Sequence, residues 1–184
     1  TLISNALQFL TLDTLELDGD NPRLGAKAGQ YKSQVEILDA VVDAFGVDNV
    51  LSSLAVNGYF AAEPLVVVQQ GSGKFRVAEG NRRLAACLIL SGDSRARHHE
   101  RRTAQYQQLQ KQYNREPISE VPVQILADDH SLLSYLGVRH IAASQPWDSY
   151  AKAAWVAKVL RESAGKLSLE DVSSMIGDQH RTVA

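Results

Sequence analysis

Hydrophobic and polar residues recur along the chain with two different periods, which indicates that both strands and helices are present. Alternation over a few residues is typical of a strand, whereas apolar residues spaced three and four positions apart are typical of a helix. The predicted strands cover residues 12–18, 63–70, 73–79 and 121–126. The predicted helices cover residues 34–45, 48–56, 81–90, 131–141 and 147–160. This pattern predicts an α+β fold, with a small mixed sheet surrounded by helices and a helical C-terminal part.

The amino-acid composition of the chain excludes several classes of protein. The chain has 184 residues, of which 45% are hydrophobic and 22% charged, and its formal net charge is -2. A nucleic-acid surface must therefore be a local patch. The single cysteine, Cys87, excludes a disulfide framework and a cysteine-rich zinc site, and it fits a reducing cytoplasm. No apolar run is long enough to span a bilayer, so we expect no membrane partner. Because the chain lacks an initiating methionine, we expect it to be part of a longer protein.

One segment is strongly basic. Six basic residues and one acid, Glu100, occur between Arg95 and Arg115. We interpret residues 91–118 as a basic helical insertion that contains a long, solvated helix. Clustered positive charge is sufficient to contact a DNA backbone. The candidate DNA-binding residues are Arg95, Arg97, Arg101 and Arg102. A charged helix that only faces solvent explains the same pattern.

The junction between the predicted strand 73–79 and the predicted helix 81–90 reads Gly80-Asn81-Arg82-Arg83. The start of a helix carries unpaired N–H groups and a partial positive charge, so two arginines in the first turn disfavour the helix itself. A bound anion would remove this conflict, because N–H groups and guanidinium groups would then contact the same phosphate oxygens. The alternative is that the arginines are solvated, or are paired with Glu79 or other acids.

The order of several motifs adds context to this turn. "DNPRLG", "NGYFAAEPLVVV", the hairpin and "VAEGNRRLAACLIL" together resemble the N-terminal domain of ParB-like proteins, in the ParB–sulfiredoxin superfamily. The resemblance covers residues 12–159. Gly80, Arg82, Arg83 and Ala86 match the phosphate motif of that family, and Asn21-Pro22-Arg23 resembles an early box that lies near the nucleotide. The resemblance implies a ParB/sulfiredoxin-like domain over 1–128 that binds a nucleoside triphosphate, CTP or ATP.

The predicted nucleotide-binding residues are Gly80, Asn81, Arg82, Arg83, Asn21, Arg23, Glu79, Arg139 and His140. Some of them depart from the family pattern. Asn81 stands where the motif has glutamate, and an asparagine cannot act as a general base. Arg139 and His140 replace an acid–amide pair and could contact phosphate without Mg²⁺. No metal ligands are predicted, and the need for Mg²⁺ stays open. Cys87 is not adjacent to the turn glycine, so we reject sulfiredoxin activity and expect Cys87 to be buried.

The end of the chain has the start of a further motif. Ser168 and Asp171 have the spacing of a capping box, with aspartate in place of glutamate. Residues 129–184 therefore resemble a helical segment that leads into a truncated helix-turn-helix. We predict a cytoplasmic, nucleotide-binding and DNA-associated ParB-like protein of a partition or regulatory type, with a homodimer left open. The alternatives are a ParB-like nuclease or NTPase, and a non-catalytic scaffold that kept the fold.

Overall fold

The computed structural model of the chain describes residues 7–128, 131–132, 157, 160–161 and 165–171. The strands are β1 (Gln8–Thr11), β2 (Leu15–Leu17), β3 (Leu65–Gln69), β4 (Phe75–Glu79) and β5 (Glu120–Leu126). The α-helices are α1 (Gln34–Phe45), α2 (Asp48–Asn57), α3 (Asn81–Ser91) and α4 (Glu100–Gln112). Short 3-10 helices cover Leu12–Thr14, Pro22–Lys27 and Ser94–His99. The predicted α+β fold with a small mixed sheet is confirmed.

The five strands form one mixed sheet in the order β1-β5-β3-β4-β2. The pairs β1–β5 and β3–β4 are antiparallel, whereas β3–β5 and β2–β4 are parallel. The β3–β4 pair is the predicted hairpin. Helix α3 follows β4 directly, so the end of β4 determines where α3 begins.

Helix α3 lies at the centre of the core. Every residue from Leu84 to Leu90 is buried, as expected for a helix that is apolar on all sides. Helices α1, α2 and α4 contact α3, and side chains of β3 and β4 belong to the same core cluster. Helix α3 therefore packs against the sheet and against the three other α-helices of the described residues.

The predicted solvated helix in the basic segment is shorter and more buried than expected. Helix α4 begins at Glu100 and packs against α2 and α3, with the Tyr106 side chain only 1% exposed. The Thr103 hydroxyl donates to the carbonyl of Ile89 (2.7 Å), and the Gln107 amide donates to the carbonyl of Leu90 (2.9 Å). These bonds give side-chain partners to carbonyl groups in the last turn of α3, where the Ile89 carbonyl also accepts from the N–H of Gly92. One face of α4 is therefore structural.

The predicted strand over 12–18 is also shorter, because Leu12–Thr14 form a 3-10 turn and only Leu15–Leu17 pair with β4. The predicted capping box is present. The N–H of Asp171 donates to Oγ of Ser168 (3.0 Å), and the N–H of Ser168 donates to Oδ2 of Asp171 (2.8 Å). The remainder of the predicted helix-turn-helix, most of the helices over 131–141 and 147–160, and both Arg139 and His140 lie outside the described residues. Within the described residues, no helix has the length and apolar character that a membrane span requires.

Candidate nucleotide-binding site

Gly80 forms the turn between β4 and α3. Its φ angle is 101°, in the left-handed region that favours glycine. A Cβ atom at this position would overlap Cδ2 of the buried Leu65. None of the described side chains caps the first turn of α3, which also contains no acid. The first N–H groups of the helix, with the positive end of its dipole, are therefore left without a side-chain acceptor.

Asn81 is the first residue of α3, and its side chain is only 5% exposed. Its Oδ1 accepts from the N–H of Asp18 (2.9 Å), and its Nδ2 donates to the carbonyl of Val77 (2.8 Å). This amide thus joins the segment after β2 to the end of β4. Each polar atom of the side chain thus has a backbone partner, so this amide is used within the fold.

Arg82 connects the start of α3 to the loop between α1 and α2. Its Nε donates to the carbonyl of Gly46 (2.7 Å), and its Nη2 donates to Oδ1 of Asn49. Burial lowers the pKa of the Arg82 guanidinium, and the positive charge of Arg23 lowers it further. Two cations therefore lie close enough to repel each other.

Arg23 reaches the same region from the loop after β2. Its guanidinium carbon lies 5.1 Å from the centre of the Phe45 ring, which is a cation–π geometry. Oδ1 of Asn21 accepts from the N–H of Arg23 (3.0 Å) and shapes the turn that presents this arginine. The structure thus brings the predicted "NPR" loop and the predicted "GNRR" turn together.

Arg83 connects the start of α3 to the loop before β3. Its Nη1 donates to the carbonyls of Glu63 and Pro64 (3.3 Å to Pro64) and lies 3.4 Å from the hydroxyl of Tyr59. The Tyr59 hydroxyl donates to the carbonyl of Glu63 (2.9 Å). Burial raises the pKa of Tyr59 to about 12, although the nearby Arg83 charge opposes this shift. Tyr59 therefore stays protonated and remains a donor.

Charge at this site is unbalanced. Among the described residues, no carboxylate forms an ion pair with Arg23, Arg82 or Arg83. The nearest acid in sequence, Glu79, is the half-buried last residue of β4, and it lies opposite Val66 beside an irregularity in the β3–β4 pairing. The alternative in which Glu79 or other acids pair with the two arginines of the turn is therefore not supported within the described residues.

The four candidate DNA-binding arginines divide into two pairs. Arg95 donates to both carboxylate oxygens of Asp93 and to the carbonyls of Leu12 and Leu15 (2.5–3.0 Å), so its guanidinium is used within the fold. Arg102 forms an ion pair with Asp48 at 3.2 Å. Arg97 and Arg101 are exposed. Arg95 therefore leaves the candidate DNA-contacting set, because a guanidinium with four internal bonds has little capacity for phosphate.

Three other titratable side chains, Cys87, His98 and His99, are buried or make contacts within the fold. Cys87 is fully buried, so the expectation of a buried residue is confirmed, and burial raises the pKa of its thiol to about 12. His98 and His99 each lie 2.7 Å from an oxygen of Asp39 and connect the Ser94–His99 turn to α1. Across the described parts of the chain, no group of three or more His, Cys, Asp or Glu side chains is arranged to hold a metal ion.

Sequence reasoning missed the residues that orient the arginines. Gly46, Asn49, Tyr59 and Glu63 contact Arg82 or Arg83 although they lie 20 to 36 positions away in the chain. No local pattern marks a carbonyl group as the acceptor for a distant guanidinium. The available signal was Asn57-Gly58-Tyr59, in which the glycine ends α2 and places Tyr59 in the following loop.

Comparisons with known proteins identify the fold. No protein-family model matches the chain, and no curated protein matches it. Among solved structures, it is similar to the C-terminally truncated chromosome-partitioning protein ParB from Caulobacter crescentus complexed with CTP-gamma-S. The two share 16% sequence identity, the match covers 97% of this chain and 75% of that chain, and the TM-score is 0.58. The chain therefore has a ParB-like fold.

Proposed function

We propose that this chain is a nucleotide-binding, DNA-associated protein of the ParB type, which holds a triphosphate at the start of α3. The observation that carries the proposal is a helix start that has no capping side chain and no acid in its first turn, but contains Arg82 and Arg83 and has the charge of Arg23 close to Arg82. Three positive charges without a carboxylate partner among the described residues favour an anion with several oxygens.

The arginines have hydrogen-bonding capacity beyond their loop contacts. A guanidinium carries five N–H donors. Among the described contacts, Arg82 uses its Nε and Nη2 for the loop at Gly46–Asn49, and Arg83 uses its Nη1 for the loop before β3. The loops thus hold both groups in fixed orientations and leave donors for phosphate oxygens, which reduces the entropy cost of binding. Arg23 and the first N–H groups of α3 complete the set.

The neighbour in the comparison supports a nucleoside triphosphate as the ligand class, because that ParB protein was solved with CTP-gamma-S. We propose CTP or ATP for this chain, in a cytoplasmic protein of a partition or regulatory type. The proposal does not include hydrolysis. Asn81 supplies no carboxylate, and its amide is already bonded to Asp18 and Val77.

The test is a calorimetric titration of the four ribonucleoside triphosphates, with and without Mg²⁺. Arg82 and Arg83 are unsuitable first targets, because their removal would also release two loops. Arg23→Gln is the cleaner change, since the guanidinium of Arg23 makes only the exposed contact with Phe45 among the described residues. Arg101→Gln on α4 is the matched control.

We expect Arg23→Gln to weaken binding by about 1.5–3 kcal/mol, the strength of a hydrogen bond to a charged group, or about 10- to 150-fold. Arg101→Gln should bind as the unchanged protein does, and both variants should melt near its temperature. If no triphosphate binds the unchanged protein, or if Arg23→Gln binds with unchanged affinity, the proposed site is wrong.

A further inference from the structure

Phe60 exposes a large apolar ring beside the proposed site. It lies in the loop between α2 and β3, and 53% of the residue is exposed. Burial of such a ring is favourable, so leaving about half of it in water forgoes part of that stabilisation. Its neighbour in sequence, Tyr59, packs against the main core. Of these two adjacent aromatic residues, Tyr59 therefore packs on the core and Phe60 is exposed to solvent.

The loop keeps its shape without the Phe60 ring. The N–H of Glu63 donates to the carbonyl of Phe60 (3.0 Å) and closes a tight turn. The carbonyl of Glu63 accepts from the Tyr59 hydroxyl and from Arg83. Each of these bonds uses a backbone group of the turn or the side chains of Tyr59 and Arg83. The described contacts therefore assign the Phe60 ring no role in holding the loop.

The same bonds place Phe60 next to the start of α3. In a closed turn, the Cα atoms of Phe60 and Glu63 lie within about 7 Å of each other. Arg83, which binds the carbonyl of Glu63, is in the first turn of α3. A nucleotide whose phosphates contact that turn extends its ribose and base away from the phosphates by a distance of this order. Two contacts thus connect the Phe60 loop to the proposed phosphate-binding turn.

We propose that Phe60 stacks on the base of the bound nucleotide. This inference rests on the proposed function, and it specifies the ligand as a nucleotide rather than an inorganic polyphosphate. An aromatic ring stacks on any base, because every base has a π-face. The exposed ring then has a partner that buries it only when the nucleotide is bound.

The experiment separates the base from the phosphates. Binding of the tightest ribonucleoside triphosphate and of inorganic tripolyphosphate is measured by calorimetry for the 184-residue chain and for Phe60→Ala. Phe9→Ala is the matched control, because Phe9 is 54% exposed and lies on β1 at the far edge of the sheet from β4 and α3. Phe60→Trp tests rescue, since tryptophan retains a stacking surface.

We expect Phe60→Ala to lose roughly 5- to 150-fold in nucleotide affinity, the equivalent of about 1–3 kcal/mol for one stacked base. Its tripolyphosphate affinity should not change. Phe9→Ala should bind both ligands normally. Phe60→Trp should bind the nucleotide more tightly than Phe60→Ala and show fluorescence quenching above that of the unchanged chain. Equal losses for both ligands would mean that Phe60 acts through the loop, and no loss would mean that it does not contact the base. Either result overturns this inference, whereas failure of tripolyphosphate and nucleotide alike to bind the unchanged chain overturns the proposed function.

Discussion

At the scale of single residues, Arg95 and Arg97 show how position decides what a charge does. The two residues are separated by one alanine. Arg97 is exposed, whereas the Arg95 side chain is 16% exposed and binds Asp93 together with the carbonyls of Leu12 and Leu15. Arg95 therefore connects the segment after α3 to the turn before β2, and its loss would leave carbonyls and a carboxylate with fewer partners.

We expect Arg95→Ala to lower the free energy of unfolding by about 3 kcal/mol, as removal of one partner from a largely buried ion pair does. Arg97→Ala should stay within about 0.5 kcal/mol of the unchanged protein, as is usual for exposed sites. Urea denaturation followed by circular dichroism measures both. Equal stabilities for the two variants would contradict the structural assignment of Arg95.

The ion pair between Arg95 and Asp93 also makes the stability of the fold depend on pH. Hydrogen bonds from Arg95 hold the pKa of Asp93 below its ordinary value. A depressed pKa means that the pair stabilises the fold above the unfolded pKa of about 3.9 and loses this effect as pH falls below it. The stability difference between the unchanged protein and Arg95→Ala should therefore shrink at pH values below about 4.

The candidate site shows the limit of sequence reasoning at this scale. The turn residues and the "NPR" loop were identified from their chemistry and their resemblance to a family. The occupied amide of Asn81 and the carbonyl acceptors of Arg82 and Arg83 were not, because those partners come from distant segments. The residue type predicts that an arginine donates hydrogen bonds, but the fold determines which acceptors lie near it.

At the scale of elements, the start of α3 depends on one glycine. Gly80 and Gly73 both have positive φ angles, 101° and 77°. A Cβ atom at Gly80 would overlap Leu65 and approach Nη2 of Arg83 to 3.2 Å, whereas one at Gly73 would meet nothing within 4 Å. The two positions therefore share backbone strain and differ in crowding.

We expect Gly73→Ala to cost about 1–2 kcal/mol, the penalty of a left-handed conformation for an L-residue. Gly80→Ala should cost about 1–3 kcal/mol more, because the fully buried Leu65 must move. Thermal and urea denaturation measure both variants. Gly80→Ala should also weaken triphosphate binding by displacing the first turn of α3, and equal stabilities in the two variants would contradict the crowding argument.

Local patterns predicted most elements well. Helices α1, α2 and α3 and the β3–β4 hairpin begin and end within about two residues of the predicted bounds, because their periodicity and turn residues agree. Helix α4 was misjudged as solvated. Its packed face contains the buried Tyr106 and Gln110 and the half-buried Thr103 and Gln107, and the three residues other than Tyr106 bond to backbone carbonyls. Hydrophobic periodicity cannot detect a helix face that packs through hydrogen bonds.

At the scale of the whole molecule, the order of the strands in the sheet could not be predicted from the local sequence pattern. Strand β1 was not predicted. It is the first strand in the described sequence and pairs with β5, which is the last. Strand β2 pairs in parallel with β4 about 60 positions later. Such pairings depend on long-range packing and not on the alternation within a strand. The overall fold was predicted from the order of the motifs, which resembles that of a known family. The comparison with a solved structure confirmed the fold at 16% identity.

The distribution of charge over the molecule determines how the chain can bind DNA. The chain carries a net charge of -2, so attraction to a duplex must come from a local surface. Of the four candidate arginines, Arg95 and Arg102 have carboxylate partners, and Arg97 and Arg101 are exposed with none among the described residues. Two such charges can contact phosphates but cannot read bases. We therefore expect weak, sequence-independent binding, with a Kd of about 10⁻⁴–10⁻⁶ M at physiological salt.

Fluorescence anisotropy with two unrelated duplexes over a range of salt concentrations tests this expectation. Each phosphate contact contributes about 0.9 to the slope of log K against log salt, so replacing Arg97 and Arg101 by alanine should flatten the slope by about 1.8. Lys27→Ala combined with Lys32→Ala removes the same charge from exposed positions outside α4 and should change the slope less. If the two double variants are indistinguishable, only net charge matters and the patch is not a binding surface. A preference of about a hundredfold for one duplex would instead require base contacts, which phosphate-bound arginines do not make, and DNA recognition would have to be assigned to other residues of the chain.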